Sequence, residues 1–82
     1  MLERRRFQID TIYVPTKRMK TLDADKVLTL AVDMLEHGQN TPIILRPDGE
    51  RYVLVEGLHR LEAMRSLGEA SIDGYLVRAR LH

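Results

Sequence analysis

Residues Leu54 to Gly68 read LVEGLHRLEAMRSLG. This is an apolar run that ends at Gly57 and continues as a helix, with Glu56 just before the glycine and His59 and Arg60 just after it. The first amides of a helix have no partner within it and carry the positive end of its dipole, so a strand-glycine-helix junction is a natural anion site. His59 and Arg60 fall in that first turn and could add donors and charge to the same place. The guest such a site suits is a phosphate. Glu56 could hold a divalent cation or accept a proton beside it. A structural alternative stands next to this reading: Glu56 and Arg60 pair across the turn, and His59 lies on the surface with no role. The short motif alone does not choose between them.

A second set lies on an earlier helix. Lys26, Thr29 and Asp33 occupy positions i, i+3 and i+7, which places them within about 60° of one another around the axis. A lysine and a hydroxyl on one stripe could meet phosphate oxygens, although the ordinary reading of such a stripe is a solvated face. His37 sits near a helix C-terminus and His82 at the chain end, neither at metal-ligand spacing, and neither is given a role. No serine lies in a nucleophile-elbow pattern, and there is no P-loop or dinucleotide fingerprint.

The elements that must position these residues follow from the punctuation. FQIDTIYV, Phe7 to Val14, alternates roughly and stops at Pro15, which predicts a strand. TLDADKVLTLAVDMLEHG predicts a helix with Asp23 as N-cap, Val27, Leu30, Ala31, Met34 and Leu35 as its apolar face, and Gly38 as its stop. Two short apolar runs around Pro47-Asp48-Gly49 predict a hairpin. Tyr52 to Val55 is uniformly apolar, which predicts a central strand with both faces covered. Gly57 opens a second helix that Gly68 closes. SIDGYLVRARL resumes a strand pattern to Leu81, with a bulge expected at Gly74. The order strand, helix, strand, strand, helix, strand predicts a small α/β (α+β) domain with a short mixed sheet and two main helices.

The chain has 82 residues, which fits one domain, 1–82, with the basic residues 1–6 expected as a flexible end. A chain of this size buries only about 60% of its unfolded surface. With 44% hydrophobic and 30% charged residues it is expected to fold rather than remain disordered. It has no cysteine, which excludes a disulfide framework, a thiolate metal site and a cysteine nucleophile on this chain. No signal-peptide pattern or membrane-length apolar run is present, so a cytoplasmic location and no membrane partner are expected. A net charge of +1 makes no case for nucleic-acid binding by itself, although Arg4, Arg5, Arg6, Lys17, Arg18 and Lys20 crowd the first quarter of the chain.

VPTKRMKTLDADKVLTLAVDM, TPIILR, YVLVEGLHRLEAMRSLGE and IDGYLV, in that order, resemble the ParB N-terminal domain and sulfiredoxin superfamily. The resemblance runs from about Ile9 to Val77 and rests on the Gly-x-His-Arg of Gly57 to Arg60, on Pro42-Ile43 and on LDADKV at the start of the first helix. In sulfiredoxins the Gly-Cys-His-Arg motif supplies the catalytic cysteine and binds ATP phosphates. The resemblance therefore implies phosphate contacts for Gly57, His59 and Arg60, with Lys26 and Thr29 reaching the nucleotide from the first helix. Leu58 stands at the cysteine position, so sulfiredoxin activity is not expected, and Asp33 stands where the family often has a hydroxyl residue.

In chromosome-partition ParB proteins the corresponding motif is closer to Gly-Glu-Arg-Arg and serves CTP with magnesium. Arg60 matches its last arginine, while Leu58 replaces the glutamate. Those proteins also carry a helix-turn-helix and a dimerisation domain that this chain does not reach, so sequence-specific DNA binding is expected only if a partner supplies it. A third branch phosphorylates free serine with an acidic residue near the nucleotide. Glu56 could serve as such a base, but that branch's substrate pocket lies in extra segments. The expectation is a domain binding ATP, ADP or CTP, with Mg²⁺ at Glu56 and with hydrolysis or phosphotransfer left open. The alternative is a non-catalytic module that touches non-specific DNA or a DNA-binding partner through its basic end, or that acts as a homodimer.

Overall fold

A computed structural model describes residues 3–78. The strands are β1 (Glu3–Gln8), β2 (Ile12–Tyr13), β3 (Ile43–Asp48), β4 (Arg51–Glu56) and β5 (Ser71–Leu76). The helices are α1 (Thr16–Met19), α2 (Ala24–His37) and α3 (Leu58–Ser66). The expected last strand extends to Leu81, and Ala79, Arg80 and Leu81 lie outside the described residues, as do Met1, Leu2 and His82.

The strands form one mixed sheet in the order β1-β5-β3-β4-β2. β1 pairs with β5 and β3 with β4 antiparallel, whereas β3–β5 and β2–β4 are parallel. β1 and β2 are opposite edges of this sheet yet are joined by a single 3-10 turn, Ile9–Thr11. The sheet must therefore curl enough for that turn to span its edges, and the Phe7 ring of β1 packs edge to face on the Tyr52 ring of β4 with centroids 4.9 Å apart.

That turn corrects the single strand expected over Phe7 to Val14. Phe7, Ile9 and Ile12 are all buried, and the change of spacing from two residues to three is what a 3-10 turn imposes. Thr11 Oγ1 donates to the Gln8 carbonyl at 2.7 Å and fixes it. α1 is also new, a single turn after Pro15 too short to leave a periodic signal. β3, rather than the uniformly apolar β4, is the middle strand. β4 lies between β3 and β2, with Leu54 in the main core and Val53 buried outside that cluster.

No bulge forms at Gly74, which pairs with Arg5 on one side and Ile43 on the other. The register shift falls at Ile44/Leu45 in the β3–β4 pair. Gly74 is instead a close approach, since a Cβ there would lie 3.2 Å from the Phe7 ring and 3.3 Å from Ile43 Cγ1. The core joins Phe7, Ile12, Ile43, Leu45, Leu54 and Ile72 of the sheet to Ala31 and Met34 of α2 and Leu58, Leu61 and Met64 of α3. Leu35, expected on the buried face of α2, is 75% exposed. An apolar stripe wider than the fold covers leaves its outer row in solvent.

Gln39 ties the loop after α2 to the sheet by imitating a strand. Its side-chain amide donates to the Asp73 carbonyl at 2.9 Å and its carbonyl accepts from the Asp73 amide at 2.8 Å. Gln39→Ala would leave two part-buried backbone groups unpartnered, and we expect a loss of about 2 kcal/mol in urea unfolding; Gln39→Glu, which sets a carboxylate oxygen against the Asp73 carbonyl that the amide now serves, should cost at least as much.

The basic residues of β1 have partners inside the fold. Arg4 Nη2 and Arg6 Nη1 reach the Asp73 carboxylate at 3.2 and 3.0 Å. Arg5 donates to the Tyr52 hydroxyl at 3.3 Å and lies over the Phe7 ring. Burial alone would raise the pKa of Asp73, but the hydrogen bonds from Arg4 and Arg6 outweigh it and lower it below 3.8. A depressed carboxylate stabilises the fold above its unfolded pKa and loses that contribution as pH falls through its folded pKa. Acid unfolding should therefore show an added loss of stability below about pH 4, and Asp73→Asn should remove that component from the pH profile of the melting temperature.

Candidate functional site

β4 ends at Glu56, and Gly57 turns the chain into α3 with φ 109° and ψ 31°. Only glycine holds this left-handed region without strain. Space imposes the same choice, because a Cβ on Gly57 would lie 2.5 Å from Ile43 Cγ2 and 2.9 Å from Ile43 Cβ. No side chain caps α3. The first hydrogen bond of the helix runs from the Leu61 amide to the Gly57 carbonyl at 2.9 Å, so the amides of Leu58, His59 and Arg60 are left for an outside acceptor. α2 begins differently: Asp23 accepts from the Asp25 amide at 2.9 Å and the Lys26 amide at 3.4 Å.

His59 joins the two helix starts. Its Nε2 accepts from the backbone amide of Asp23 at 3.0 Å, so that nitrogen carries no proton and Nδ1 is the donor. At the other end, Met34 and Leu35 of α2 share one depression with Met64 of α3 and Leu67 just after it. The helices thus run side by side in the same direction, and both positive dipole ends converge on the His59–Asp23 contact.

Lys26 and Thr29 lie on the first turns of α2 and line a shallow hollow of about 370 Å³ with Asp25 and Leu30. Neither side chain has a hydrogen-bond or ion-pair partner among the described residues, and neither does the half-buried Arg60. Asp33, the third member of the stripe, is engaged with His37 Nδ1 at 3.1 Å.

Glu56 does not pair with Arg60. Its Oε1 faces Arg18 Nη2 at 3.6 Å, and Arg18 Nη1 donates to the Val55 carbonyl at 2.7 Å. Arg18 thereby pins α1 to the end of β4 and leaves Arg60 without a carboxylate. Sequence reasoning counted Arg18 only among a basic run, because nothing local connects it to a strand end 37 residues away. Among the described residues no group of three or more His, Cys, Asp or Glu could hold a metal ion.

A curled mixed sheet with two parallel helices on one face, whose penultimate strand enters a helix through a left-handed glycine, defines the ParB/sulfiredoxin-like class of α/β domains. The profile of the ParB N-terminal domain matches residues 3–81, and the chain belongs to that family. Among solved structures it is similar to sulfiredoxin from Arabidopsis thaliana, with 25% identity and a TM-score of 0.84 over 94% of this chain and 86% of that one. It is similar in fold to the chromosome-partitioning protein ParB from Caulobacter crescentus complexed with CTP-γ-S (21% identity, TM-score 0.78, 98% of this chain). A free serine kinase in complex with AMP shares the fold as well (16% identity, TM-score 0.79, 93% of this chain). The chain spans 46% of that ParB and 31% of that kinase. No curated protein sequence matches it.

Proposed function

We propose that the chain binds a nucleoside phosphate, ATP, ADP or CTP, at the mouth formed by the first turns of α2 and α3. The observation that carries this reading is an uncapped helix N-terminus beside an arginine with no partner among the described residues, at the point where a second helix N-terminus arrives. The amides of Leu58 to Arg60 and the Arg60 guanidinium would hold phosphate oxygens, and Lys26 and Thr29 would close on them from α2. His59 keeps the two helix starts in register through Nε2 and offers Nδ1–H to the ligand. The nucleotides bound to the similar ParB and serine kinase structures support the choice of ligand.

The residues do not fit a metal ion held by the protein. The carboxylate at the junction, Glu56, already faces a guanidinium, and magnesium would arrive as the counter-ion of the phosphates. Glu56 Oε2, which has no partner among the described residues, would orient a water for phosphohydrolase or phosphotransfer chemistry. With leucine at position 58, sulfinic-acid reduction has no nucleophile here. The alternative of a DNA-associated or partner-binding module rests on Arg4 to Arg6, and each of these arginines has an intramolecular partner. That engagement favours the nucleotide site.

A thermal-shift panel tests the proposal. At a nucleotide concentration about a hundredfold above Kd, binding contributes ~2.7 kcal/mol, which for a domain of this size raises Tm by roughly 10–20 °C. The unphosphorylated nucleosides should give no shift. An unchanged Tm with millimolar ATP, ADP and CTP alike would overturn the assignment.

A further inference from the structure

The outer row of α2 has no place in the nucleotide site. Leu28, Val32 and Leu35 are 64%, 51% and 75% exposed, and their spacing of four and three residues aligns them on one line along the helix. At 3.6 residues per turn, the covered residues Val27, Leu30, Ala31 and Met34 span an arc of about 100°, and this row occupies a further arc of about 60° beside it. The apolar sector of α2 is thus far wider than its own fold covers. The row leads at Leu35 into a depression of about 330 Å³ floored by Met34, Met64 and Leu67 and edged by Arg6, Gln39 and Glu69. A ridge followed by a hollow of side-chain size is the surface on which a helix docks.

The charges around this track choose the occupant. Asp25 and Glu36 border the row on the side away from the core, and Glu69 borders the depression. None of the three side chains has an ion-pair partner among the described residues. The cations nearby are engaged, Arg6 with Asp73 and Arg65 with Glu62. A second copy docked by the same face would set carboxylates against carboxylates, which disfavours self-pairing. A helix with leucine-like residues at the same spacing and lysine or arginine on its flanks meets both the apolar row and the acidic border. Three side chains and one hollow fall short of the ~800 Å² that each partner buries in a standard interface, so the occupant is one helix of a few turns, bound in the micromolar range.

We infer that the Leu28–Val32–Leu35 row and the Met34–Met64–Leu67 hollow form a docking track for a cationic amphipathic helix of a partner protein, on the flank of α2 away from Lys26 and Thr29. This surface does not depend on the nucleotide reading. The probe is a fluorescein-labelled peptide of about four helical turns with leucine on one face and lysine on the other, followed by anisotropy and by ¹⁵N-resolved NMR shifts on the whole chain. The expected result is micromolar binding, shifts centred on Leu28, Val32, Leu35, Met64 and Leu67, and at least a tenfold loss (~10×) in the exposed-site variant Leu28→Gln/Leu35→Gln. Arg60→Ala should leave peptide affinity unchanged. A sequence-scrambled peptide that binds equally well, a leucine/glutamate peptide that binds equally well, or an unaffected double variant would each overturn the inference. So would sedimentation showing a dimer of the chain that the double variant abolishes, which would give the face to a second copy.

Discussion

Gly57→Ala should lower stability by roughly 2–6 kcal/mol. Two costs add. A side chain at φ 109° is held in a region that costs an L-residue about 1–3 kcal/mol, and the new Cβ would press on Ile43 at 2.5 Å from Cγ2. Ile43 is 1% exposed and is packed in the core on the adjoining strand, so it cannot swing away, and forcing a close-packed core to give costs a further ~1–3 kcal/mol. Gly68→Ala provides the control, because that glycine also has a positive φ of 78° but nothing within 4 Å of its Cβ position. It should cost only the conformational part, about 1–3 kcal/mol. Chemical denaturation of the two variants separates strain from overlap. Equal losses would show that Ile43 yields and that the junction is softer than its geometry implies. In the Gly57→Ala background, Ile43→Ala should cost less than in the native chain, the signature of coupled sites.

Arg60→Glu should reduce nucleotide affinity by about a hundredfold or more. A hydrogen bond to a charged group contributes about 1.5–3 kcal/mol, and each 1.4 kcal/mol is a factor of about ten in Kd. The reversed charge adds repulsion to that loss. Among the described residues no side chain holds Arg60, so its replacement leaves no buried charge behind, and the fold should keep its melting temperature. Arg60→Lys should recover part of the affinity, since a lysine keeps the charge but not the forked pair of donors. Titration calorimetry with ADP and CTP reads both variants against the native chain. An Arg60→Glu protein that binds as tightly as the native chain would remove Arg60 from the site.

The local part of this arrangement was legible in the sequence. Gly57 between an apolar strand and a helix, Asp23 before an amphipathic segment, and Pro47-Asp48-Gly49 between two apolar runs each act over a few residues, and each carries its own signal in residue type. What joins them is tertiary and left none. The histidine of the motif meets the amide of Asp23, 36 residues earlier, and Glu56 is met by Arg18 from a helix of a single turn. Periodicity gave α2 its apolar stripe but not how much of it the fold would cover. Leu35 therefore looked like a core residue and proved to be an exposed one. The strand over Phe7 to Val14 failed for a related reason. Alternation over so few residues tolerates one wrong step, and that step is the 3-10 turn that carries the chain from one edge of the sheet to the other.

The central claim is that nucleotide phosphates sit on the converging starts of α2 and α3. An amide-resolved NMR titration of the chain with ADP and with CTP tests it at the atoms concerned. The expected result is saturable shifts largest at the Leu58, His59 and Arg60 amides, accompanied by Asp23, Lys26 and Thr29, and absent in Arg60→Glu. No shift at millimolar nucleotide, or shifts confined to Arg4, Arg5, Arg6 and the strands they pair with, would contradict it.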